Sequence, residues 1–245
     1  MPFNPKSVVV TGSNRGIGFG LIQQFLKHPD IRTVIATARN VETAEKLKKL
    51  NDPRLHILPL NITCDTSIDS FVAKLDELLG DSGLDLLVNN AAILQPYTTS
   101  TTPDRKIVQE LFEVNTISVV ILTQKLLPLL EKSGNAGIVT ITSEMLGSIG
   151  LNTTGSGRHD ALAYRMTKTA INQFIKTLSI DLAKANQHIF SIGICPGWVQ
   201  TDMGGKDGKL SIEESTSQIV SSIYKLENET HNGGYFRRDL TTIPY

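Results

Sequence analysis

The feature that most constrains the fold of this chain is an alternation of two kinds of segment along its whole length. Short apolar runs rich in β-branched residues are separated by longer segments with helical periodicity. The predicted strands are Ser7–Thr11, Thr33–Thr37, Leu55–Leu60, Leu84–Asn89, Gly137–Thr142 and Ile189–Cys195. The predicted helices are Gly18–His28, Glu42–Leu50, Thr66–Leu79, Lys106–Glu131, Ala163–Ala185 and Ser211–Leu226. Because the strands are almost entirely apolar, they are typical of parallel strands buried on both faces.

Repeated βαβ units of this spacing build a single parallel sheet. We therefore predict an α/β fold in which residues 1–245 form one domain, a doubly wound, Rossmann-type parallel sheet with helices on both faces. A last short strand near Gly234–Leu240 would close one edge of the sheet. Irregular segments follow three of the strands: Ile93–Arg105, Glu144–Leu162 and Pro196–Leu210. Open α/β sheets bind ligands at this carboxyl edge, so we expect the functional site there.

Composition narrows the classes of function. The 24 basic and 24 acidic side chains cancel, so the charge balance gives no sign of a nucleic-acid or anionic-membrane partner. Two cysteines, Cys64 and Cys195, are too few for a disulfide framework, and no Cys/His cluster has metal-ligand spacing. The first residues contain no apolar signal core, and no stretch of about 18 uncharged apolar residues occurs. We expect a soluble, cytoplasmic protein without a metal and without a nucleic-acid or membrane partner.

A glycine-rich turn joins the first predicted strand to the first predicted helix. Its sequence is Gly12-Ser-Asn14-Arg15-Gly16-Ile17-Gly18, with the spacing G-x-x-x-G-x-G. Glycines at such a junction let the backbone approach a pyrophosphate, which rests on the N-terminus of the helix. No Gly-Lys-Ser/Thr sequence ends the turn, so it does not follow the ATP- and GTP-binding pattern. The alternative is a plain structural turn, but the position between strand and helix favours dinucleotide binding.

The end of the second predicted strand indicates which dinucleotide is bound. NAD sites have a carboxylate there that accepts hydrogen bonds from the adenosine ribose. Here the strand ends in Thr37-Ala38-Arg39-Asn40, and the next acid, Glu42, belongs to the following helix. The guanidinium groups of Arg39 and Arg15 could instead bind the 2′-phosphate of NADP(H). The alternative is that both arginines are solvated surface charges.

The segment Tyr164-Arg-Met-Thr-Lys168 places a tyrosine and a lysine on one face of a helix. A tyrosine hydroxyl can give a proton to a carbonyl that is being reduced if its pKa falls towards neutral. A fall of the pKa from about 10 to about 7 requires roughly 4 kcal/mol of preferential stabilisation of the anion. One ammonium at about 4 Å supplies about that much at an effective dielectric constant near 20. We therefore expect Lys168 to lower the pKa of Tyr164, although the same spacing is common on exposed helix faces.

Six features in order reveal a family resemblance that covers essentially the whole chain. The sequence resembles the short-chain dehydrogenase/reductase family at Thr11-Gly12-x-x-x-Gly16-x-Gly18, Asn89-Asn90-Ala91-Ala92, Asn115, Ser143, Tyr164-x-x-x-Lys168 and Pro196-Gly197-Trp-Val-Gln-Thr201. Three further features resemble the sniffer-type carbonyl reductases: Arg15, Pro196-Gly-Trp-Val-x-Thr-Asp-Met-Gly204 and Asn232-Gly-Gly-Tyr-Phe. The resemblance implies an oxidoreductase that transfers a hydride between NADP(H) and a small carbonyl or alcohol substrate.

The resemblance also implies roles for single residues. Tyr164 is the expected acid/base, Lys168 holds the nicotinamide ribose as well as lowering the tyrosine pKa, and Ser143 polarises the substrate carbonyl. Asn115 is expected to hold a water that links Lys168 to a proton relay, and Asn89 to support the central strand and the adenosine side of the cofactor. The residues expected to contact the cofactor are Gly12, Asn14, Arg15, Gly16, Ile17, Gly18, Arg39, Asn61, Ile62, Asn89, Ala91, Tyr164, Lys168, Pro196, Gly197, Val199 and Thr201.

Two departures from the family pattern leave assignments open. The acidic residue expected after the third strand is Asn61, whose amide oxygen can still accept the amino hydrogen of adenine. The spacing from Ser143 to Gly147 is one residue longer than usual, so either Thr142 or Ser143 faces the substrate, and we favour Ser143.

The Gly/Ser-rich stretch Asn152–Gly157 is expected to form a mobile rim of the pocket. Candidates for lining the pocket are Ile93, Leu94, Tyr97, Met145, Leu146 and Trp198.

Two other functions compete with this interpretation. An NADP(H)-binding regulator with a vestigial catalytic site is the first, but the expected tyrosine, lysine and serine are all present. A sugar-nucleotide epimerase or dehydratase is the second, because those enzymes share the Tyr-x-x-x-Lys spacing. They resemble a longer family with a C-terminal substrate domain, for which a chain of 245 residues has no room.

A last expectation concerns self-association. Apolar residues cover more than one face of the predicted helix Lys106–Glu131, and the apolar surface of Ala163–Ala185 is also broad. Packing on a sheet requires only one apolar stripe, so the remainder is available for an interface. Many family members pair these two helices between subunits, and we therefore expect a homodimer. The alternative is a monomer in which the Glu144–Leu162 loop covers this surface.

Overall fold

The computed structural model of the chain describes residues 3–153, 160–185 and 188–245. Its strands are β1 (Ser7–Val10), β2 (Thr33–Ala38), β3 (Leu55–Pro59), β4 (Leu86–Asn89), β5 (Ala136–Ile141), β6 (Ile189–Cys195) and β7 (Tyr235–Arg237). Its α-helices are α1 (Gly16–Leu26), α2 (Glu45–Lys48), α3 (Asp65–Leu79), α4 (Arg105–Phe112), α5 (Ser118–Ser133), α6 (Glu144–Gly147), α7 (Leu162–Lys184), α8 (Ile212–Ile223) and α9 (Asn228–His231). A 3₁₀ turn occupies Gly80–Ser82, and a π-helical turn occupies Glu113–Ile117.

The seven strands form one sheet in the order β3-β2-β1-β4-β5-β6-β7, and every neighbouring pair is parallel. This topology confirms the predicted doubly wound α/β fold, including the short edge strand β7. The chain runs outward from β1 to β3 and then returns to place β4 on the other side of β1. Loops that follow β1 and β4 therefore leave the sheet towards opposite faces and open a crevice at its carboxyl edge. The glycine-rich turn after β1 lies at this switch point.

Helices cover both faces of the sheet, because successive side chains of a strand point to opposite sides. Val8 and Val10 of β1 belong to a core with α1 and α8, whereas Val9 belongs to a second core with α3, α5 and α7. All three valines are completely buried. The all-apolar sequence of the central strands is thus explained by burial on both faces.

The predicted long helix Lys106–Glu131 is a continuous helix, Arg105–Ser133, with a π-helical turn in its middle. A π turn inserts one extra residue into the helix and is common at functional sites. By length and composition alone this helix could cross a membrane. However, Leu122, Leu126 and Leu130 are fully or almost fully buried in the second core, as in the core helix of a globular domain.

Other predicted boundaries shift for local reasons. The helix predicted over Glu42–Leu50 shortens to α2, because the Asn40 side chain accepts a hydrogen bond from the Glu42 amide and its carbonyl accepts one from Thr43. Such a local turn competes with the helix. The segment Glu144–Leu162, predicted to be irregular, begins with the short helix α6. Residues 154–157 of the predicted mobile rim lie outside the described part of the chain.

Candidate active site

The glycine-rich turn approaches its neighbours so closely that side chains cannot be accommodated. Gly12 has a φ of +64°, and a Cβ atom there would lie 3.0 Å from the Cα atom of Ala91. A Cβ atom on Gly18 would collide with the Gly12 carbonyl oxygen and with the Asn90 side chain. Glycine is therefore required at both positions, one for the left-handed backbone and both for the close approach.

The hydroxyl of Thr11, the residue before this turn, joins β1 to β4. Thr11 Oγ1 accepts hydrogen bonds from the backbone amides of Asn90 at 2.9 Å and Ala91 at 3.0 Å. In return, Asn90 Nδ2 donates to the carbonyl oxygens of Thr11 at 2.8 Å and Gly12 at 3.2 Å. Thr11 and Asn90 belong to the sequence motifs named above, which predict no role for either side chain. The structure shows that they fix the two sides of the crevice to each other.

The N-terminus of α1 presents unpartnered amides at the crevice. The first helical hydrogen bond runs from Phe19 N to Arg15 O at 3.2 Å, which leaves the amides of Gly16, Ile17 and Gly18 without a helical acceptor. Among the residues that the structure describes, no side chain caps this end, and the first turn of the helix contains no acidic residue. These amides and the positive end of the helix dipole fit an anion such as a pyrophosphate.

The two arginines predicted to bind a 2′-phosphate differ in their surroundings. Arg39 directly follows β2, is exposed, and has no ion-pair partner among the described residues. Arg15 Nη1 forms an ion pair with Asp202 Oδ2 at 2.6 Å. Because both side chains of this pair are well exposed, the pair is weak and can be exchanged for another anion. Of these two arginines, Arg39 is therefore the one that can bind a phosphate without first losing an ion pair with a described residue.

Two of the other predicted cofactor residues are already engaged within the protein. Asn61 Oδ1 accepts hydrogen bonds from the amide and the hydroxyl of Thr63 at 3.3 and 3.0 Å. An adenine amino group would compete with these bonds. Asn89 is 3% exposed and its Nδ2 donates to Thr123 Oγ1 at 3.0 Å, so its side chain supports β4 against α5. Ile62 is half-buried and packs against the second core.

Tyr164 and Lys168 lie side by side near the beginning of α7. Both are buried, at 6% and 4% exposure, and the Lys168 ammonium is 5.6 Å from the centre of the Tyr164 ring. Lys168 Nζ donates to the carbonyl oxygen of Ile141 at 3.0 Å, and Ile141 ends β5 just before Ser143. The structure therefore excludes an exposed helix face, the alternative interpretation of this spacing, and attaches Lys168 to the end of β5, two residues before the predicted serine.

The predicted lowering of the Tyr164 pKa is wrong for the ligand-free chain. Burial raises the pKa of the Tyr164 phenol above its ordinary value, because the phenolate loses its hydration. Burial also lowers the pKa of Lys168 from 10.5 to about 8. The nearby Cys195 thiol has a raised pKa through burial and stays neutral at neutral pH. The loss of hydration on burial is thus the dominant influence on the pKa of both groups.

The hydrogen bonds of Thr142 and Ser143 show which of the two hydroxyls is available to a substrate. Thr142 is buried, and its hydroxyl donates to Asn172 Oδ1 at 2.9 Å. Ser143 is half-buried, and its hydroxyl forms no hydrogen bond with any described residue. The extra residue between Ser143 and Gly147 is absorbed by the helical turn of α6. Ser143 therefore carries the hydroxyl that is free to bind a substrate.

Asn115 lies in the π-helical turn and is 1% exposed. Its Oδ1 accepts from the amide of Ile93 at 2.8 Å, and its Nδ2 donates to the Ile93 carbonyl at 2.9 Å and to Thr167 Oγ1 at 3.2 Å. Thr167 Oγ1 in turn donates to the carbonyl of Tyr164 at 2.7 Å. The Asn115 side chain therefore fixes the loop after β4 against α7, and its contact with a relay water stays a prediction.

The loop after β6 closes the crevice from the other side. Pro196 is buried, Gly197 has a φ of +80°, and Val199 pairs with Leu210 through a single parallel bridge. A Cβ atom on Gly16 would lie 3.6 Å from Thr201 Cγ2, so this loop contacts the glycine-rich turn. Of the candidate pocket residues, two are exposed, Met145 and Trp198, and four are half-buried, Ile93, Leu94, Tyr97 and Leu146.

Burial of the Lys168 ammonium destabilises the ligand-free protein at neutral pH. The pKa falls from 10.5 to about 8 on folding, so the unfolded chain binds more protons in this window and stability increases as pH rises through it. A shift of this size corresponds to about 3 kcal/mol at pH 7. The variant Lys168→Met should therefore unfold at higher urea concentration than the wild type at pH 7, and the difference should shrink towards pH 10.

Lys176→Met is the matched control, because Lys176 lies on the same helix and is exposed. It should leave the urea midpoint almost unchanged at both pH values. A Lys168→Met protein that is no more stable than the wild type at pH 7 would contradict the cost assigned to the buried ammonium.

Comparison with known proteins agrees with this geometry. The family model for short chain dehydrogenase matches residues 6–210. Sniffer of Caenorhabditis elegans is 46% identical, with a TM-score of 0.88 over 99% of this chain and 100% of that chain. The carbonyl reductase Sniffer of D. melanogaster is 35% identical, with a TM-score of 0.91 over 99% and 100%. The NADPH-bound carbonyl reductase from chicken fatty liver is 32% identical, with a TM-score of 0.91 over 98% and 99%.

The family match runs from the residue before β1 to the end of the loop after β6. It therefore includes the glycine-rich turn, Ser143 and the buried Tyr164–Lys168 pair. The similar solved structures extend over nearly the whole chain, including the edge strand β7. On this basis the chain belongs to the short-chain dehydrogenase family and is an oxidoreductase of that family.

Proposed function

We propose that this protein is a carbonyl reductase that transfers a hydride from NADPH to a small carbonyl compound. The observation that carries the proposal is the buried Tyr164–Lys168 pair, whose lysine donates to the Ile141 carbonyl two residues before Ser143. The Ser143 hydroxyl forms no hydrogen bond with any described residue. Burial of a titratable pair is expensive, and such pairs are concentrated at functional sites. The carbonyl reductases among the similar structures support the same chemistry.

The side chains present can perform the proton transfer that reduction needs. The nicotinamide cofactor supplies the hydride when it is bound. Ser143 donates a hydrogen bond to the substrate carbonyl oxygen, which stabilises the negative charge that develops there. Tyr164 then gives its proton to that oxygen, and its raised pKa keeps the phenol protonated at neutral pH. Lys168, held by the Ile141 carbonyl, favours the phenolate that remains.

NADP(H) is the cofactor that the charges at the crevice favour. Gly16, Ile17 and Gly18 offer amides for the pyrophosphate, and Arg39 follows β2 at the place where NAD-binding proteins have a carboxylate. A guanidinium can bind a 2′-phosphate through two hydrogen bonds. Arg15 can contribute a second cation once it exchanges Asp202 for that phosphate. The chicken relative contains bound NADPH, which supports this choice.

Arg39→Ala tests the cofactor choice. A charge-assisted contact with the 2′-phosphate contributes on the order of 1.5–3 kcal/mol, so kcat/KM for NADPH should fall at least about tenfold. The value for NADH should change little, because NADH has no 2′-phosphate. Arg32→Ala is the control, since Arg32 is exposed at the opposite end of β2. Equal efficiency of NADPH and NADH in the wild type would refute the NADP(H) preference.

Tyr164→Phe tests the chemistry. The variant removes the transferable proton and keeps the ring, so carbonyl reduction should fall by at least about a hundredfold while NADPH binding stays nearly unchanged. Turnover is measured by NADPH oxidation with a panel of carbonyl compounds, and binding by fluorescence titration. Retention of most of the activity with a good substrate would show that Tyr164 is not the proton donor. If the wild type binds NADPH but reduces none of the carbonyl compounds tested, the result would favour the alternative function, an NADP(H)-binding regulator with a vestigial catalytic site.

We also propose that the protein is a cytoplasmic homodimer that pairs the long helix Arg105–Ser133 and α7. The outward apolar surface is smaller than the sequence predicts, because most apolar residues of these helices are buried or half-buried within the domain. The large apolar residues that remain exposed on them are Ile117, Met166 and Ile180. These residues, at 44–47% exposure, support an interface of modest size.

Sedimentation equilibrium at micromolar concentration tests this assembly. A dimer has twice the 26.8 kDa mass of the chain, and Ile117→Lys combined with Ile180→Lys should shift it to monomer. Gln124→Lys, an exposed polar position on α5, is the control. A wild-type mass of 26.8 kDa without concentration dependence would leave the monomer as the correct state.

A further inference from the structure

The turn Thr142–Gly147, here called the serine turn, is held on one side by α7. The Thr142 hydroxyl donates to Asn172 Oδ1 at 2.9 Å, and Asn172 Nδ2 donates to the Gly147 carbonyl at 3.2 Å. Thr169 Oγ1 donates to the same carbonyl at 3.1 Å. Both ends of the serine turn are thereby attached to the helix that carries Tyr164 and Lys168.

The other side of the serine turn is held by β7, which is distant in the sequence. The Tyr235 hydroxyl donates to the backbone carbonyl of Ser143. Arg237 donates from Nε and Nη2 to Glu144 Oε1 at 3.0 and 2.5 Å. Tyr235 is 1% exposed, and burial raises the pKa of its phenol, so the hydroxyl remains a hydrogen-bond donor. Two side chains of β7 therefore fix adjacent residues of the serine turn, Tyr235 at Ser143 and Arg237 at Glu144.

The segment after β7 extends these contacts along the chain that follows the serine turn. Ser148 Oγ donates to the Pro244 carbonyl at 2.5 Å, and Gly150 N donates to the Tyr245 carbonyl at 3.0 Å. Ile243 packs with Tyr235 and Cys195 in a small apolar cluster, and Leu151 packs against it. Both ends of the segment Tyr235–Tyr245 thus lie against residues 143–151.

From these contacts we infer that Tyr235 is a positioning residue for carbonyl reduction and acts through the backbone of Ser143. The Ser143 hydroxyl has no hydrogen bond within the described residues, so its location depends on the backbone that carries it. Tyr235 fixes that backbone at the carbonyl of the same residue, and Arg237 restrains the next residue. The inference rests on the proposed function, in which this hydroxyl polarises the substrate. Small displacements of such a group are costly for catalysis.

The variant Tyr235→Phe tests the inference, because it removes one hydroxyl and keeps the buried ring. Tyr245→Phe is the matched control: it removes a tyrosine hydroxyl of the same segment that donates to the Gly233 carbonyl at 2.7 Å, away from the serine turn. For carbonyl reduction, kcat should fall about tenfold in Tyr235→Phe with an unchanged KM for NADPH. Tyr245→Phe should retain the wild-type kcat. An equal effect of the two variants on kcat would overturn the inference.

A double variant separates action through Ser143 from a general loss of structure. Ser143→Ala removes the hydroxyl that Tyr235 positions, so adding Tyr235→Phe to it should lower kcat/KM no further. If the two losses multiply instead, Tyr235 acts independently of Ser143 and the inference is wrong.

Amide hydrogen exchange of the ligand-free protein gives a readout that does not depend on turnover. Exchange over Ser143–Gly147 should be at least about tenfold faster in Tyr235→Phe than in the wild type or Tyr245→Phe. Absence of NADPH-dependent carbonyl reduction by the wild type would refute the proposed function, and the exchange rates would then decide the positioning role alone. Unchanged exchange in Tyr235→Phe would overturn it.

Discussion

The hydroxyl of Thr11 joins the carboxyl ends of two strands that lie almost eighty residues apart in the sequence. The hydroxyl accepts hydrogen bonds from the backbone amides of Asn90 and Ala91. The Asn90 side chain donates hydrogen bonds to the carbonyl oxygens of Thr11 and Gly12. If these bonds were lost, several backbone groups at the switch point would be left without partners. The geometry of the crevice depends on them, because the N-terminus of α1 begins directly after the turn that they hold.

Desolvation is the second constraint on the site, and it acts against stability. Lys168 is buried although its ammonium would be better hydrated at the surface, and its pKa falls to about 8 as a result. The same burial keeps the Tyr164 phenol protonated, which is the form that a proton donor in reduction requires. A buried pair that destabilises its own fold is typical of the compromise between stability and function at a candidate active site.

The side chains of the candidate active site are held by partners from distant elements. Asn115, in the π-helical turn, holds the loop after β4 and reaches α7 through Thr167. The serine turn is attached to α7 by Asn172 and to β7 by Tyr235. Elements on several sides therefore restrain the backbone around Ser143, whose hydroxyl forms no hydrogen bond with any described residue. Active sites that are pre-organised in this way need little rearrangement during the reaction.

The alternation of strands and helices, the glycine-rich turn and the shared helix face of Tyr164 and Lys168 can all be read from the amino-acid sequence. These features depend on local periodicity and spacing, which are visible in a single chain. Three other properties become visible only in the folded chain: Thr142 is buried against Asn172, the Asn61 side chain accepts hydrogen bonds from Thr63, and the pKa of Tyr164 rises. Those properties depend on burial and on hydrogen bonds between groups that the fold brings together, and neither is encoded in the spacing of the residues concerned.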